Sequence, residues 1–255
     1  LRTRRQRQMC IRDRIEGKPE LVEHYRRKIT DGHRQRNPHY AAMVHSMDEN
    51  IGRVLAKLDE LRLRENTLVV FSSDNGGFTR FCKLNKGLQV ANNAPLRSGK
   101  GSCYEGGIRV PLIVRGPGVT SNRRCSTPVV SCDLFHTFLD TAQITERPDG
   151  PTDGRTLLPL LRDPQATLNR DTLHFHYPHY YSTTSPVGAI RQGHWKLLEY
   201  YEDRPLELYR LDQDPGESNN LAAAHPAIAE RLQKELRAWR KRVDALEPET
   251  NPESN

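Results

Sequence analysis

The 255-residue chain lacks the long apolar segments that a membrane-spanning protein needs. Its longest purely apolar runs have four residues, as at 68–71, whereas a transmembrane helix needs about 20. We therefore predict no membrane span. Apolar residues make up 35% and aromatic residues 7% of the chain, which is low for a compact globule. At this length the composition still permits one or two domains with a hydrophobic core. No signal peptide pattern is recognisable either, which leaves the compartment open.

Cysteine pairs of the kind that bind zinc are also missing. None of the cysteines stands in a C-x-x-C pair, and their number is odd. Neither a zinc ribbon nor a disulfide framework is predicted from this pattern. A bridge between Cys125 and Cys132 stays open if the chain resides in an oxidising compartment. The five cysteines are Cys10, Cys82, Cys103, Cys125 and Cys132.

The chain has few acidic residues relative to its basic ones, with 39 Lys and Arg against 32 Asp and Glu and a net charge of +7. Such an excess favours a polyanionic partner such as nucleic acid. Most of it, however, lies in residues 1–14, which contain six arginines and show no apolar periodicity. The end of this segment, MCIRDR, resembles translated adaptor sequence. We therefore predict a non-native basic tail over 1–14, with a disordered basic arm as the alternative, and no nucleic-acid partner.

What the sequence does contain, from residue 15 to about 164, is an alternation of helix and strand patterns. Asn37 supplies a helix cap, Pro38 follows at the first helical position, and apolar residues then recur at helical spacing. After a polar turn, TLVVFS at 67–72 is typical of a strand buried on both faces of a parallel sheet. An α/β unit is therefore predicted. The apolar stripe comprises Tyr40, Met43, Val44, Met47, Ile51, Val54, Leu55 and Leu58.

Three further segments complete this region. Residues 78–107 predict a long loop with one short helix, and long loops in compact domains are often functional. Residues 110–115 predict a strand, which Pro111 places at an edge or a strand start. Ser131 is predicted to cap a helix. The apolar face of that helix comprises Leu134, Phe135, Phe138, Leu139 and Ala142.

After about residue 164 the pattern changes to hairpins. Residues 189–191, 194–201 and 206–211 predict a small antiparallel sheet, and a closing helix follows from Pro226. We therefore predict a small α+β domain over 165–248 and a polar tail over 249–255. The apolar stripe of the closing helix comprises Ile228, Leu232, Leu236, Trp239 and Val243.

Asp74 and Asn75 are the sharpest candidates for a functional site, since they directly follow the predicted strand. Open α/β sheets place their ligands at the carboxyl ends of strands. A carboxylate beside an amide carbonyl offers two hard oxygen donors of the kind that Ca²⁺ or Mg²⁺ prefers. Asp-Asn-Gly-Gly is also ordinary turn sequence, so from these residues alone both readings stay open.

Lys100 is a second candidate, because it stands between Gly99 and Gly101, which permit a close backbone approach. Its ammonium could reach an anionic group held at the strand end. A solvated loop lysine is the alternative, and the spacing of a phosphate-binding P-loop is absent.

The HFHYPHY segment offers a weaker metal pattern. His174, His176 and His179 have ligand-like spacing, but the interleaved aromatic residues and Pro178 indicate a packed loop.

Three stretches together resemble the sulfatase family of the alkaline-phosphatase superfamily. They are HYAAMVHSMDENIGRVLAKLDELRLRENTLVVFSSDNGG at 39–77, APLRSGKGSCYEGGIRVPLIVRGPG at 94–118 and IRQGHWKLLEYYEDRPLELYRLDQDPGESNNLA at 190–222. Each is loose by itself, but their order over some 200 residues is specific. The resemblance extends from about Lys18 to about Pro248.

The resemblance implies an α/β fold. An incomplete alkaline-phosphatase-like sheet-and-helix domain over 15–164 is followed by the small α+β domain, with its antiparallel sheet and closing helix. It also implies an arylsulfatase-like sulfuric ester hydrolase acting on a sulfated small molecule or glycan, periplasmic or secreted. One divalent cation is expected, usually Ca²⁺, with Mg²⁺ possible in its place.

Site roles follow from the same resemblance. Asp74 and Asn75 would supply two metal ligands. Lys100 would be catalytic and substrate-binding, contacting the sulfate and neutralising charge on its oxygens. Arg97 and His176 would line the mouth of the substrate pocket.

The chain also departs from the family pattern. The family nucleophile is a formylglycine made from the cysteine of C-x-P-S-R, and no cysteine here is followed by x-P-S-R. Paired aspartates and an H-T-P segment lie upstream in the family, and IRDR stands where H-T-P is expected. We therefore expect the C-terminal half of a sulfatase, with the formylglycine in the missing N-terminal half. Such a chain would be inactive alone and bind Ca²⁺ weakly.

Other readings stay open on the sequence. A phosphatase, phosphodiesterase or phosphonate hydrolase of the same superfamily would share the Asp-Asn metal geometry. A non-catalytic binder of sulfated glycans is a further alternative. A nucleic-acid-binding module would rest on charge alone, without stacking platforms or a recognition helix. The sulfate ester and the oligomeric state are not determined by the sequence.

Overall fold

The computed structural model describes residues 15–82, 88–147, 150 and 152–248. The predicted tails at 1–14 and 249–255 lie outside these residues. The chain divides into two compact units. The first runs up to Val54 and adds Asp74–Val110 and the chain from Thr172 onward, whereas the second comprises Leu55–Ser73 and Pro111–Asp171. The predicted division into contiguous domains at residue 164 stays a prediction.

Helices and short strands are mixed as far as residue 162, and a run of four strands with a closing helix follows. The helices are α1 Pro19–Lys28, α2 Pro38–Glu60, α3 Glu105–Ile108, α4 Asp133–Thr141, α5 Leu158–Arg162 and α6 Pro226–Arg242, with a 3-10 turn at Arg64–Asn66. The strands are β1 Val69–Ser72, β2 Phe81–Cys82, β3 Leu88–Gln89, β4 Leu112–Arg115, β5 Thr172–Tyr177, β6 Val187–Gln192, β7 Trp195–Tyr200 and β8 Glu207–Arg210. None of the described helices is both long and apolar enough to cross a bilayer.

Helix α2 begins where the sequence predicts. The Asn37 side-chain oxygen accepts the backbone N–H groups of His39 and Tyr40, at 3.1 Å each, as an N-cap does. The apolar stripe is not fully covered, since Val44 is 42% and Val54 is 62% exposed. Periodicity predicts which face of a helix is apolar, but burial also requires a surface that packs against that face.

Strand β1 confirms the predicted strand but not its predicted environment. It pairs antiparallel with β4, in the register Val70↔Val114, and its residues are only partly buried. The expectation of a parallel sheet covered on both faces is therefore wrong for the pairing that the structure describes. An apolar run predicts burial, whereas strand direction depends on where the intervening 39 residues return the chain.

Two local details differ from the prediction in the middle of the chain. The 78–107 segment contains the short β2–β3 pair as well as the short helix α3. Helix α4 begins at Asp133 rather than after a Ser131 cap, and the Asp133 carboxylate accepts the backbone N–H of Val130 at 2.9 Å. Phe135 and Phe138, on its predicted apolar face, are about half exposed.

The C-terminal sheet is antiparallel, with the strand order β5-β6-β7-β8. The prediction of three strands and a closing helix is confirmed, and α6 begins at Pro226. The HFHYPHY segment, however, is not a loop: its first part forms the edge strand β5, with Phe175 opposite Ala189. Interleaved aromatic and histidine residues are compatible with a strand, because successive side chains point to opposite faces.

Both faces of this sheet are covered. On one face Ile190, Leu197 and Leu208 pack against Leu232 and Leu236 of α6. On the other face Val187, Ala189, Leu198 and Tyr209 form a buried cluster with Cys103 and Tyr104. Because Cys103 and Tyr104 follow closely after Lys100, the sheet supports the segment that carries this lysine.

Candidate functional site

Asp74 and Asn75 follow β1 in the chain and lie side by side. The Asp74 side chain is exposed, and the Asn75 side chain is half-buried. The Asn75 amide nitrogen donates to Asp74 Oδ1 at 3.1 Å and lies 3.4 Å from the Gly76 carbonyl oxygen. A carboxylate and a carboxamide are thus present together in one small patch.

Glycine residues join this segment to the segment that carries Lys100. The Gly76 N–H donates to the Gly107 carbonyl at 2.8 Å, and the Lys100 N–H donates to the Gly77 carbonyl at 3.1 Å. A Cβ at Gly76 would overlap with the Gly106 carbonyl oxygen, so the two backbones meet at a distance that only glycine permits. The structure therefore brings Lys100 to the Asp74–Asn75 segment.

Asn93 fixes this arrangement from within and was missed by the sequence reasoning. Its side-chain nitrogen lies 3.1 Å from the Gly77 carbonyl, 3.0 Å from that of Ser98 and 3.1 Å from that of Gly106. One carboxamide thus holds three segments of the site together, which makes Asn93 a positioning residue. A single asparagine in a loop belongs to no recognisable motif. Only the many glycines nearby in the sequence could have indicated that Asn93 lies where segments pack closely.

Lys100 is held by its backbone and leaves its ammonium available. Its carbonyl oxygen accepts the Thr183 hydroxyl at 2.8 Å, and its N–H donates to the Gly77 carbonyl. The side chain is half-buried, and among the described residues its ammonium has no hydrogen-bond or ion-pair partner. An ammonium held in this way can receive an anion without first breaking an internal ion pair.

Arg97 and His176, the two predicted residues of the pocket mouth, have partners within the fold. The Arg97 guanidinium lies 4.0 Å from the centre of the Tyr104 ring and donates to Tyr209 Oη at 2.8 Å. His176 lies on β5, where its Nε2 is 2.7 Å from the Leu246 carbonyl oxygen. These contacts account for both side chains, and their predicted roles toward substrate stay predictions.

A buried ion cluster holds the backbone segment that contacts Gly76. Lys196 is fully buried, and its ammonium contacts Glu105 Oε1 at 2.9 Å and Glu217 Oε1 at 2.8 Å. The Glu105 N–H donates to Glu217 Oε2 at 2.6 Å. Since Glu105 opens α3 and precedes Gly106, the cluster fixes the backbone against which Gly76 packs. Burial and the neighbouring Glu105 charge raise the pKa of Glu217 in spite of Lys196.

Three cysteines whose side chains the structure describes form no disulfide. Cys103, Cys125 and Cys132 are all free thiols, so the bridge between Cys125 and Cys132 is not present. Burial raises the pKa of the Cys103 thiol to about 11, which keeps it protonated and unreactive at neutral pH. No group of three or more His, Cys, Asp or Glu suited to a metal occurs in the described part of the chain.

Two family models match the chain. The model described as Sulfatase matches residues 7–144, which is more than half of the chain. This chain belongs to the sulfatase family. The C-terminal model of N-sulphoglucosamine sulphohydrolase matches residues 99–242 of the same sulfatase chain. The resemblance drawn from the three sequence stretches is therefore confirmed. The first match takes in residues 7–14, part of the segment predicted to be a non-native tail.

Individual relatives agree with the family assignment. A sulfatase of Formosa agariphila is 34% identical over 244 residues, which cover 86% of this chain and 42% of the relative. The crystal structure of Ps i-CgsB superposes with a TM-score of 0.73 at 28% identity, covering 89% of this chain and 47% of the other.

A second structure is that of BT4656 in complex with its substrate D-glucosamine-2-N,6-O-disulfate. It superposes with a TM-score of 0.65 at 28% identity, covering 90% of this chain and 47% of the other. These neighbours confirm the alkaline-phosphatase-like fold class. This sulfatase chain spans less than half the length of each of these relatives.

Proposed function

We propose that this chain is the C-terminal part of an enzyme that hydrolyses a sulfate ester. In this proposal Asp74 and Asn75 bind a divalent cation, and Lys100 binds the sulfate beside it. The observation that carries the proposal is the hydrogen bond from the Lys100 N–H to the Gly77 carbonyl, which joins the lysine segment to the Asp74–Asn75 segment.

The residues present fit a hard cation such as Ca²⁺. Asp74 supplies an exposed carboxylate, and a half-turn of the Asn75 carboxamide would exchange its nitrogen for its oxygen on the Asp74 side. Ca²⁺ takes about six to eight oxygen ligands in flexible geometry, whereas Mg²⁺ requires near-octahedral geometry. Two protein donors alone would bind Ca²⁺ only weakly. The remaining ligands in the enzyme must therefore come from other residues and from water.

When bound, the cation supplies positive charge beside the sulfate oxygens. Lys100 adds a second positive charge from a half-buried position, where the electrostatic interaction is stronger than in bulk water. A fixed ammonium stabilises negative charge that shifts onto the sulfate and leaving-group oxygens as the ester bond breaks. Asn93 and the glycines keep the lysine backbone in place, so that this charge is held ready before reaction.

The nucleophile is expected in the protein upstream of Ile15, as a formylglycine made from C-x-P-S-R. Because the chain has no such motif, it should not turn over an aryl sulfate by itself. Export to the periplasm or the outside of the cell stays a prediction.

The test uses the enzyme that includes the upstream segment. Lys100→Met should lower kcat for 4-nitrophenyl sulfate by about 100-fold, because a charge that stabilises the transition state is lost. Lys234→Met, at an exposed lysine of α6 without a described partner, is the matched control and should leave kcat unchanged.

Three results would contradict the proposal. An unchanged kcat in the Lys100→Met enzyme would show that this lysine does not contribute to catalysis. A serine or threonine nucleophile with phosphate-ester hydrolysis would favour a phosphatase or phosphodiesterase. An upstream segment without any nucleophile, combined with binding of sulfated glycans, would indicate a non-catalytic binder.

A further inference from the structure

A short turn at residues 180–184 lies directly against the Lys100 segment. The Thr183 hydroxyl donates to the Lys100 carbonyl oxygen at 2.8 Å. Gly101 has a positive φ of 85°, and a Cβ there would overlap with the ring of Tyr181. The Tyr181 ring therefore lies on the backbone of the residue that follows Lys100.

Two backbone hydrogen bonds close this turn. The Tyr181 N–H donates to the Thr184 carbonyl at 3.0 Å, and the Thr184 N–H donates to the Tyr181 carbonyl at 3.1 Å. A tyrosine whose backbone is already fixed loses little conformational entropy when it contacts a ligand.

Tyr181 still retains an accessible surface. It is 38% exposed although one part of its ring covers Gly101, and the adjacent Tyr180 is 72% exposed. Aromatic rings offer a broad flat apolar face, and ligand sites commonly combine such faces with a few placed polar groups. Here the polar residue next to the covered glycine is Lys100, whose carbonyl oxygen accepts the Thr183 hydroxyl of the same turn.

We propose that Tyr181 is a stacking platform for the sugar ring that carries the sulfate ester. The proposal rests on the function proposed above, in which Lys100 binds the sulfate. A sulfate ester separates the sulfur from the pyranose ring by one oxygen, or by one oxygen and one methylene group in a 6-sulfate, so the ring must lie beside the sulfate. The nearest aromatic side chain that the structure places on the Lys100–Gly101 backbone is Tyr181. Tyr181 would then be a specificity-determining residue for pyranose sulfates.

A purely structural role for Tyr181 predicts different behaviour. If the ring only covers Gly101, any apolar side chain of similar size should serve, and ligand affinity should not depend on aromaticity. Tyr181→Leu keeps an apolar cover but removes the flat face, whereas Tyr181→Phe keeps the face and removes only the hydroxyl. The two variants therefore separate covering from stacking.

The experiment titrates the chain with D-glucosamine 6-sulfate and, separately, with inorganic sulfate by NMR. We expect Tyr181→Leu to bind the sulfated sugar about three- to tenfold more weakly, as for the loss of one stacked aromatic contact. Tyr181→Phe should bind within about twofold of the parent chain by the same reasoning. Inorganic sulfate should bind all three proteins equally and bind Lys100→Met less.

A second measurement needs no variant. Saturation of the aromatic protons of the parent chain should transfer to the ring protons of the bound sugar. Equal sugar binding by Tyr181→Leu, or no transfer from aromatic protons, would overturn the stacking proposal. If sulfate binding still depends on Lys100 in that case, the proposed function stands. If neither ligand binds the parent chain, both proposals fail.

Discussion

Replacing Lys196 with methionine is expected to lower the free energy of unfolding by about 3–5 kcal/mol, the usual cost of removing one partner from a buried ion pair. The ammonium of this fully buried residue contacts Glu105 and Glu217, which are buried as well. Without it two neighbouring carboxylates would share a buried site. Arg109 and Arg191 lie 3.7 and 4.0 Å from Glu105 Oε2 and would offset only part of this cost.

The decrease in the free energy of unfolding caused by Lys196→Met should depend on pH. The folded-state pKa of Glu217 is already raised above its unfolded value, and removal of Lys196 raises it further. The folded state then binds more protons than the unfolded state above about pH 4.5, so stability falls as pH rises through the raised pKa. The deficit should therefore be larger at pH 8 than at pH 5.

Urea denaturation at both pH values measures this effect. Lys234→Met is the matched control, because it removes an exposed ammonium and should change stability by less than about 0.5 kcal/mol. A loss below 1 kcal/mol in Lys196→Met, or a loss independent of pH, would contradict the account of the cluster.

Gly76→Ala is expected to destabilise the chain by about 3 kcal/mol or more, because the added methyl group meets backbone on the other side of the contact. The Cβ would overlap with the Gly106 carbonyl oxygen, and a backbone atom cannot rotate away as a flexible side chain can. The segments would have to separate. The Gly76–Gly107 and Lys100–Gly77 hydrogen bonds would weaken together.

The helix α2 provides the control for this substitution. Gly52 lies in its exposed interior with nothing within 4 Å of a Cβ, so Gly52→Ala should stabilise the chain by about 0.5–1 kcal/mol. Thermal or urea unfolding of both variants measures the difference. A loss below about 1 kcal/mol in Gly76→Ala would mean that the two segments are not tightly packed.

Local signals in the sequence identify much of the fold. Prolines at the first helical position mark the starts of α2 and α6, and apolar runs mark β1, β6 and β7. The parallel sheet expected around β1 and the packed loop expected at the HFHYPHY segment were wrong. Both depend on chain segments 10 or more residues away, β4 and β6 respectively, and a local pattern carries no information about such pairing.

The residues of the candidate site were likewise only partly predictable from the sequence. Asp74, Asn75 and Lys100 were identified from their residue types, their flanking glycines and the family resemblance. Asn93 and Lys196 were not, since each acts through contacts with segments distant in sequence, as Lys196 does with Glu105. The chemistry of an asparagine or a lysine shows which hydrogen bonds and ion pairs it can form. Only the fold shows which backbone segments these side chains contact.

The central claim is that Asp74, Asn75 and Lys100 act at one site. Backbone-amide NMR of the labelled chain, titrated with Ca²⁺ and with sulfate, tests it most directly. We expect Ca²⁺ to bind in the millimolar range, to shift amides of both 74–77 and 99–101, and to strengthen sulfate binding, which must be reciprocal. Asp74→Asn should remove the Ca²⁺ response, whereas Asp48→Asn, at an exposed position of α2, should keep it. Shifts in unrelated segments, with neither ligand affecting the other, would contradict the claim.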